Sequence, residues 1–201
     1  QQDRVVNFCH SSFVTGSARR QALMPEKDCR QPNVFLVGPM GVGKTTVGRL
    51  LSEEIGLDFV DIDREVELRA GADIPWIFDV EGEEGFRIRE SRTLDEIAMK
   101  SGQLIATGGG IVLCEPNREI IKKAFCIYLK AELSQLVARI GKDKKRPLLQ
   151  KDDPREVLKK ILEVSDPLYR EVATCIVQTD ARPMRQVVRE IVRLFKLHSN
   201  T

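Results

Sequence analysis

Gly38, Gly43, Lys44 and Thr45 stand at the spacing G-x-x-x-x-G-K-[ST] within "GPMGVGKTT". Those residue types in that order suit a polyphosphate. Glycines let the backbone wrap closely, so successive N–H groups over Gly41, Val42, Gly43, Lys44, Thr45 and Thr46 are placed to point at phosphate oxygens. The following helix adds the positive end of its dipole. Lys44 supplies a mobile charge for the outer phosphates, and the Thr45 hydroxyl is a candidate Mg²⁺ ligand. An apolar strand leads in and an amphipathic helix leads out, which is the context the motif requires. The stretch predicts binding of a nucleoside triphosphate. Hydrolysing switches, motors and small-molecule kinases all share that ability. The guanine-reading N-K-x-D is absent, and 201 residues are too few for helicase or motor machinery.

Other residues decide where the terminal phosphate could go. Asp61 and Asp63 in "FVDIDREVELRAG" fall at the carboxyl end of a strand, the edge of a parallel sheet where ligands sit. One carboxylate there could hold Mg²⁺ through water while the other accepts a proton from an attacking hydroxyl. The plainer alternative is that both cap the helix that follows. Arg87 and Glu90 in "EGFRIRES" lie three apart and share a helix face, either as a solvated ion pair or as a pair aimed at an anion. Gly108, Gly109 and Gly110 come directly after a strand in "IATGGGIVL". Three consecutive glycines make a poor strand and a good place for close backbone approach. The basic stretch 141–153 reads either as a solvated loop or as a mobile lid.

These groups must be held by elements that the apolar pattern makes visible. Strands are expected at 33–37, 57–62, 104–107, 125–130 and 174–178. A helix is expected over 44–55, with Val47, Leu50, Leu51 and Ile55 on one face and Gly56 as its stop. Further helices follow over "EVELRA", from Pro75, through "EGFRIRESRTLDEIAMK", and near Pro116, Glu132, Pro154 and Pro183. Strands alternating with helices predict an α/β sandwich of three layers around a parallel sheet. With 42% hydrophobic and 31% charged residues, an ordinary core is within reach. A net charge of +2 gives no field favouring nucleic acid or an anionic membrane. No apolar run reaches the ~18 residues a membrane span needs.

Scattered, odd-numbered cysteines suggest reduced thiols and a cytoplasmic setting, with Cys126 and Cys175 as buried filler. Trp76 and Phe78 read as core or pocket wall. His10 and His198 fall in the tails and suggest no metal site or triad. The C-terminal "MRQVVREIVRLFKL" reads as a helix against the sheet. Residues 1–32 lack any sustained period and are expected to be a disordered extension. Read-through upstream of the folded unit explains it better than a transit peptide does.

The stretches "GPMGVGKTTVGRLL", "DIDREVELRAGADIPWIFDVEGEEGFRIRE", "ATGGGIV", "KRPLLQ" and "DPLYREVA" occur in the order and at about the spacing found in shikimate kinases. The chain resembles that family over roughly 33–195. The resemblance implies the nucleoside-monophosphate-kinase fold with sheet order 2-3-1-4-5, in a kinase domain over 33–201. Within it lie a substrate-binding region over about 61–92 and a lid over about 141–153. It implies transfer of the γ-phosphate of ATP to the 3-hydroxyl of shikimate, with Mg²⁺ carried in by the nucleotide. Carried over by motif, Asp61 resembles the residue supporting Mg²⁺, and Asp63 the carboxylate that grips substrate hydroxyls and serves as base. Arg87 resembles a carboxylate clamp steadied by Glu90, and Gly108–Gly110 a backbone strip against the substrate. Arg146 resembles a lid arginine over the phosphates. Arg139 resembles an adenine-stacking residue, with Arg182 in the adenine loop. The implied partners are small molecules only, and the implied unit is a monomer.

One position departs from the pattern. The family arginine ahead of Pro-Leu-Tyr is Ser165 here. That substitution keeps two further readings open: a kinase for another hydroxylated acceptor, or a nucleotide binder weakened in catalysis.

Overall fold

The computed structural model describes residues 31–140, 153–180 and 182–199. Residues 1–30 of the expected extension, most of the basic stretch and Arg146 lie outside them. Strand β1 (Val34–Val37) is buried along its whole length. That is why its four apolar residues run together without alternation. Helix α1 (Lys44–Ile55) turns Val47 and Leu51 inward and stops at Gly56. The backbone there is left-handed (φ 70°), and the Gly56 N–H returns to the Ser52 carbonyl. Gly48 has to be small, because a Cβ on it would meet the Phe59 ring at 2.3 Å.

Strand β2 (Asp58–Asp61) runs straight into α2 (Ile62–Ala70). Helix α3 (Ile74–Ala98) starts at Asp73, whose carboxylate accepts from the Trp76 N–H at 3.0 Å, and has Pro75 in its first turn. Gly82, at φ 72° and ψ −178°, breaks α3 into two helical pieces. Two helices are what the sequence suggests here, one from Pro75 and one through "EGFRIRES". The rest of the chain is β3 (Gln103–Ala106), a 3₁₀ turn (Ile111–Leu113), α4 (Glu115–Ile121), β4 (Phe125–Lys130) and α5 (Leu133–Ile140). It closes with α6 (Pro154–Val172), β5 (Cys175–Gln178) and α7 (Met184–Ser199).

The five strands are all parallel, in the order β2-β3-β1-β4-β5. This is the expected order. Alternate residues feed the two faces: Val34, Leu36, Leu104, Ile127 and Leu129 one side, Phe35, Val37, Ile105, Cys126 and Tyr128 the other. Helix α7 lays Val187, Val188 and Ile191 onto the first of these cores, as its spacing predicts. No helix among the described residues is long and apolar enough to cross a membrane. Cys126 is buried, whereas Cys175 is only partly so. Trp76 is half exposed and is not core. Phe78 packs on the Phe86 ring at 4.9 Å. His198 lies against the Phe125 ring at 4.8 Å.

Parallel strands deliver their carboxyl ends to a single edge. At that edge β1 leads into the phosphate loop, β2 into Asp61 and Asp63, and β3 into Gly108–Gly110. Three stretches far apart in sequence therefore meet at one place.

Candidate active site

The loop between β1 and α1 is shaped by glycines in positive φ: Gly38 at 142°, Gly41 at 76° and Gly43 at 101°. Gly38 is the least replaceable, because a Cβ there would lie 2.4 Å from the Leu129 carbonyl oxygen on neighbouring β4. Lys44 donates from Nζ to the carbonyls of Gly38 (2.7 Å) and Pro39 (3.0 Å). Its charge is thus kept over the loop by the loop's own backbone. Val42 is buried, while Thr45 and Thr46 face outward at the start of α1.

Thr45 Oγ1 donates to Asp61 Oδ2 at 2.7 Å, and the Arg64 N–H donates to Asp61 Oδ1 at 3.4 Å. Asp61 caps α2, as one sequence reading has it, and its other oxygen also reaches the phosphate loop. A hydroxyl and a carboxylate side by side form a hard-oxygen pair. Mg²⁺, which takes few protein ligands and keeps its waters, fits such a pair.

Asp63 lies on the first turn of α2, and Glu90 lies on α3. Each approaches the glycine strip. A Cβ on Gly108 would sit 2.2 Å from Glu90 Oε1 and 2.7 Å from Asp63 Oδ1. On Gly109 it would come to 3.3 Å from the Met40 N–H nitrogen in the phosphate loop, and on Gly110 to 2.2 Å from Arg87 Nη2. One strip therefore touches the two carboxylates, the phosphate loop and Arg87 in turn. The sequence indicates close approach at these glycines; the structure identifies what approaches each one.

Arg87 donates to Glu90 Oε2 at 2.7 Å and to Glu83 Oε1 at 3.1 Å. This is not a solvated pair, since the Glu90 side chain is 1% exposed and that of Arg87 24%. Burial weakens the guanidinium's hold on its proton, and Glu90 and Glu83 more than reverse that. Arg87 stays charged. Burial pushes the Glu90 carboxyl up, with Arg87 opposing, Asp63 adding to the rise and Lys44 opposing, to about 7.

Moving Arg87 aside would break its bond to Glu90, so Gly110→Ala is expected to act on the acceptor end alone. We expect the KM for the acceptor to rise about tenfold, the loss of roughly one charge-assisted hydrogen bond, with the KM for ATP held within about twofold. Steady-state kinetics with each substrate varied checks this, and a matching rise in both constants would overturn it.

Tyr169 was not singled out by sequence reasoning. It is fully buried, and its hydroxyl donates to the Gly109 carbonyl. Burial raises its phenol, and a hydrogen bond with Ser165 opposes that rise. An aromatic four residues after a buried serine reads as core, and only the fold shows that its hydroxyl pins the glycine strip. Ser165 is 2% exposed and donates from Oγ to the Ile161 carbonyl at 2.7 Å. Arg170 pairs with Asp166 at 2.6 Å on the exposed side of α6 and does not replace an arginine at 165.

Arg139 and Arg182 are each fixed by backbone carbonyls. Arg139 bonds the Val42 carbonyl and the Thr179 carbonyl, each at 3.2 Å, joining the phosphate loop to the segment after β5. Arg182 bonds the Gln178 carbonyl at 3.2 Å and pairs with Glu190 at 2.6 Å. A cavity of about 590 Å³ between Val66, Arg69, Gly85, Ile88 and Arg92 includes none of these groups. Arg69 and Arg92 there are paired with Glu96.

Comparison with known proteins agrees with this geometry. The family model described as "Shikimate kinase" matches residues 40–196. A shikimate kinase of Pseudomonas paraeruginosa is 52% identical over 167 residues, covering 82% of this chain and 97% of that protein. The solved structure of a shikimate kinase from Acinetobacter baumannii in complex with shikimate superposes with a TM-score of 0.81. It is 44% identical, covering 84% of this chain and 94% of that one. A shikimate kinase from Aquifex aeolicus superposes at 0.72 with 33% identity, covering 84% of this chain and 97% of its own. The phosphate loop, the paired carboxylates and the glycine strip thus sit in a chain that belongs to the shikimate kinase family.

Proposed function

We propose that this chain transfers the γ-phosphate of ATP to the 3-hydroxyl of shikimate, giving shikimate 3-phosphate and ADP on the route to aromatic amino acids. The observation that carries this reading is the glycine strip. It brings Asp63, Glu90 and Arg87 to one side and the phosphate loop to the other, so an acceptor held by the first faces a phosphate held by the second.

The loop amides from Gly41 to Thr46, with Lys44, cradle the phosphates, while Arg139 and Arg182 flank the base. Thr45 and Asp61 would hold Mg²⁺, whose charge would offset the negative charge of the phosphates. Arg87 takes the acceptor's carboxylate, and Glu90 holds Arg87 in place. Asp63 grips the acceptor hydroxyls and accepts the proton of the one that attacks. Phosphoryl transfer has a loose transition state, so alignment and charge neutralisation supply most of the rate. We assign Arg146 to the phosphates as well, on the strength of the family motif "KRPLL". The kinase unit is taken as 33–201, with the acceptor region over 61–92 built by α2 and the first part of α3. The monomer is the working unit, since one chain supplies every group named, and the cytoplasm supplies the ATP.

ADP release measured with shikimate, quinate and gluconate tests the reading. Turnover with shikimate at least tenfold more efficient than with the others supports it. Ser165 motivates the second reading, an acceptor without a carboxylate, because its hydroxyl carries no charge and is turned onto Ile161. Preference for such an acceptor would establish that reading instead.

A further inference from the structure

Glu90 does more than a strut for Arg87 requires. A strut uses one oxygen, and Glu90 Oε2 fills that role at 2.7 Å from Arg87 Nη1. Its other oxygen, Oε1, is buried and has no hydrogen-bond partner among the described residues. An ionised carboxylate with a buried, unpartnered oxygen is unfavourable, and a proton on that oxygen relieves it.

The surroundings point the same way. Glu90 Oε1 and Asp63 Oδ1 converge on the space over Gly108, at 2.2 and 2.7 Å from where a Cβ would be. Two carboxylates so close disfavour double ionisation. The groups facing Glu90 are Arg87 on its own helix, Asp63 from α2, Lys44 from α1 and Tyr169 from α6. Glu83 shares Arg87 with it. Two cations and one anion therefore set its charge, with a phenol that stays neutral. The balance leaves the carboxyl at about 7.

We propose that Glu90 is a proton-linked positioning residue: it takes up a proton when an anionic acceptor docks on Arg87, which frees the guanidinium's charge for the incoming carboxylate. This rests on the reading that the acceptor is shikimate. The sign follows from charge. An anion arriving beside Arg87 disfavours ionised Glu90 and raises its pKa further. At pH 6 Glu90 already holds its proton, so docking takes up little. Above pH 7 docking must bring the proton in. Affinity for the acceptor then falls as pH rises, by up to about tenfold per pH unit.

Calorimetric titration of the full chain with shikimate, in buffers of different ionisation enthalpy, reads this directly. At pH 8 we expect uptake of about half a proton or more per shikimate bound, falling towards zero at pH 6. Glu90→Gln keeps an oxygen for Arg87 and should bind with no uptake and no dependence on pH between 6 and 8. Binding of wild type without uptake at pH 8 overturns the proposal while leaving the assigned reaction intact. Undiminished uptake in Glu90→Gln overturns it as well, since another group would then hold the proton. If Glu90→Gln does not fold, the pH series on wild type decides alone, and uptake that does not shrink between pH 8 and pH 6 overturns the proposal. Complete absence of shikimate binding overturns both the proposal and the reaction.

Discussion

Replacing Lys44 by alanine is expected to lower kcat by roughly 100- to 1,000-fold, the usual effect of removing one fixed donor from developing negative charge. Phosphoryl transfer asks the protein for little covalent chemistry, so a missing positive charge is felt directly in the barrier. The fold should survive. The Lys44 ammonium bonds the carbonyls of Gly38 and Pro39, and Lys44 itself is only partly buried. The loop's shape comes instead from the left-handed backbone at Gly38, Gly41 and Gly43. The melting temperature should therefore shift by no more than a few degrees, as is usual for a change away from the core. Coupled measurement of ADP release, beside a thermal melt by circular dichroism, checks both expectations. A variant that folds and turns over within threefold of wild type would remove Lys44 from the mechanism.

Much of this arrangement is legible before folding is considered, and the reason is physical. Where local chemistry dictates structure, a few residues suffice. Gly43, Lys44 and Thr45 are interpretable because backbone wrapping, charge and a hydroxyl are needed at fixed steps along one loop. Strand β4 is bounded as expected, its apolar run from Phe125 set off by Lys122 and Lys123 before it and closed by Lys130. Helix α1 ends where Gly56 permits a left-handed turn. Pro167 shows the limit of such rules. It falls inside α6, where proline normally breaks a helix, and tertiary contacts through Tyr169 and Leu158 carry the helix past it.

What the sequence hides is whatever depends on a partner from elsewhere. Spacing marks Asp61 as a cap for α2, but its 2.7 Å contact with Thr45 comes from another element and is visible only in the fold. Arg87 and Glu90 look like any exposed helical pair until burial is known. The charge of Glu90 is set by Asp63, Lys44 and the loss of water, none of which a local pattern contains. Tyr169 reads as core for the same reason: its ring does stack on Tyr128 at 5.0 Å, and the hydroxyl's use is visible only once β3 and α6 are side by side.

Ser165→Arg is the second large effect expected, and it runs in the direction of gain. Position 165 lies one helical turn before Tyr169, on the same face of α6. The Tyr169 hydroxyl reaches the glycine strip, so a side chain at 165 heads for the strip where Arg87 meets Gly110. Serine stops short of it and spends its hydroxyl on the Ile161 carbonyl. Arginine has the length to reach and the planar fork to bind a carboxylate with two parallel hydrogen bonds. Such a contact is worth a few kcal/mol in principle, so the KM for shikimate should fall by about tenfold to a hundredfold. The KM for ATP should stay within about twofold, because the gain is confined to the acceptor. Ser165 is 2% exposed, and this sets the main counter-effect. A long cation placed there must extend into the acceptor site or remain buried without a partner, which would cost stability. Ser165→Gln separates length from charge: it should leave the KM near that of wild type. Ser165→Lys, a point charge without the fork, should recover only part of the gain. If Ser165→Arg folds and its KM for shikimate equals that of wild type, the acceptor's carboxylate does not lie between α6 and Arg87, and its placement on the clamp is wrong.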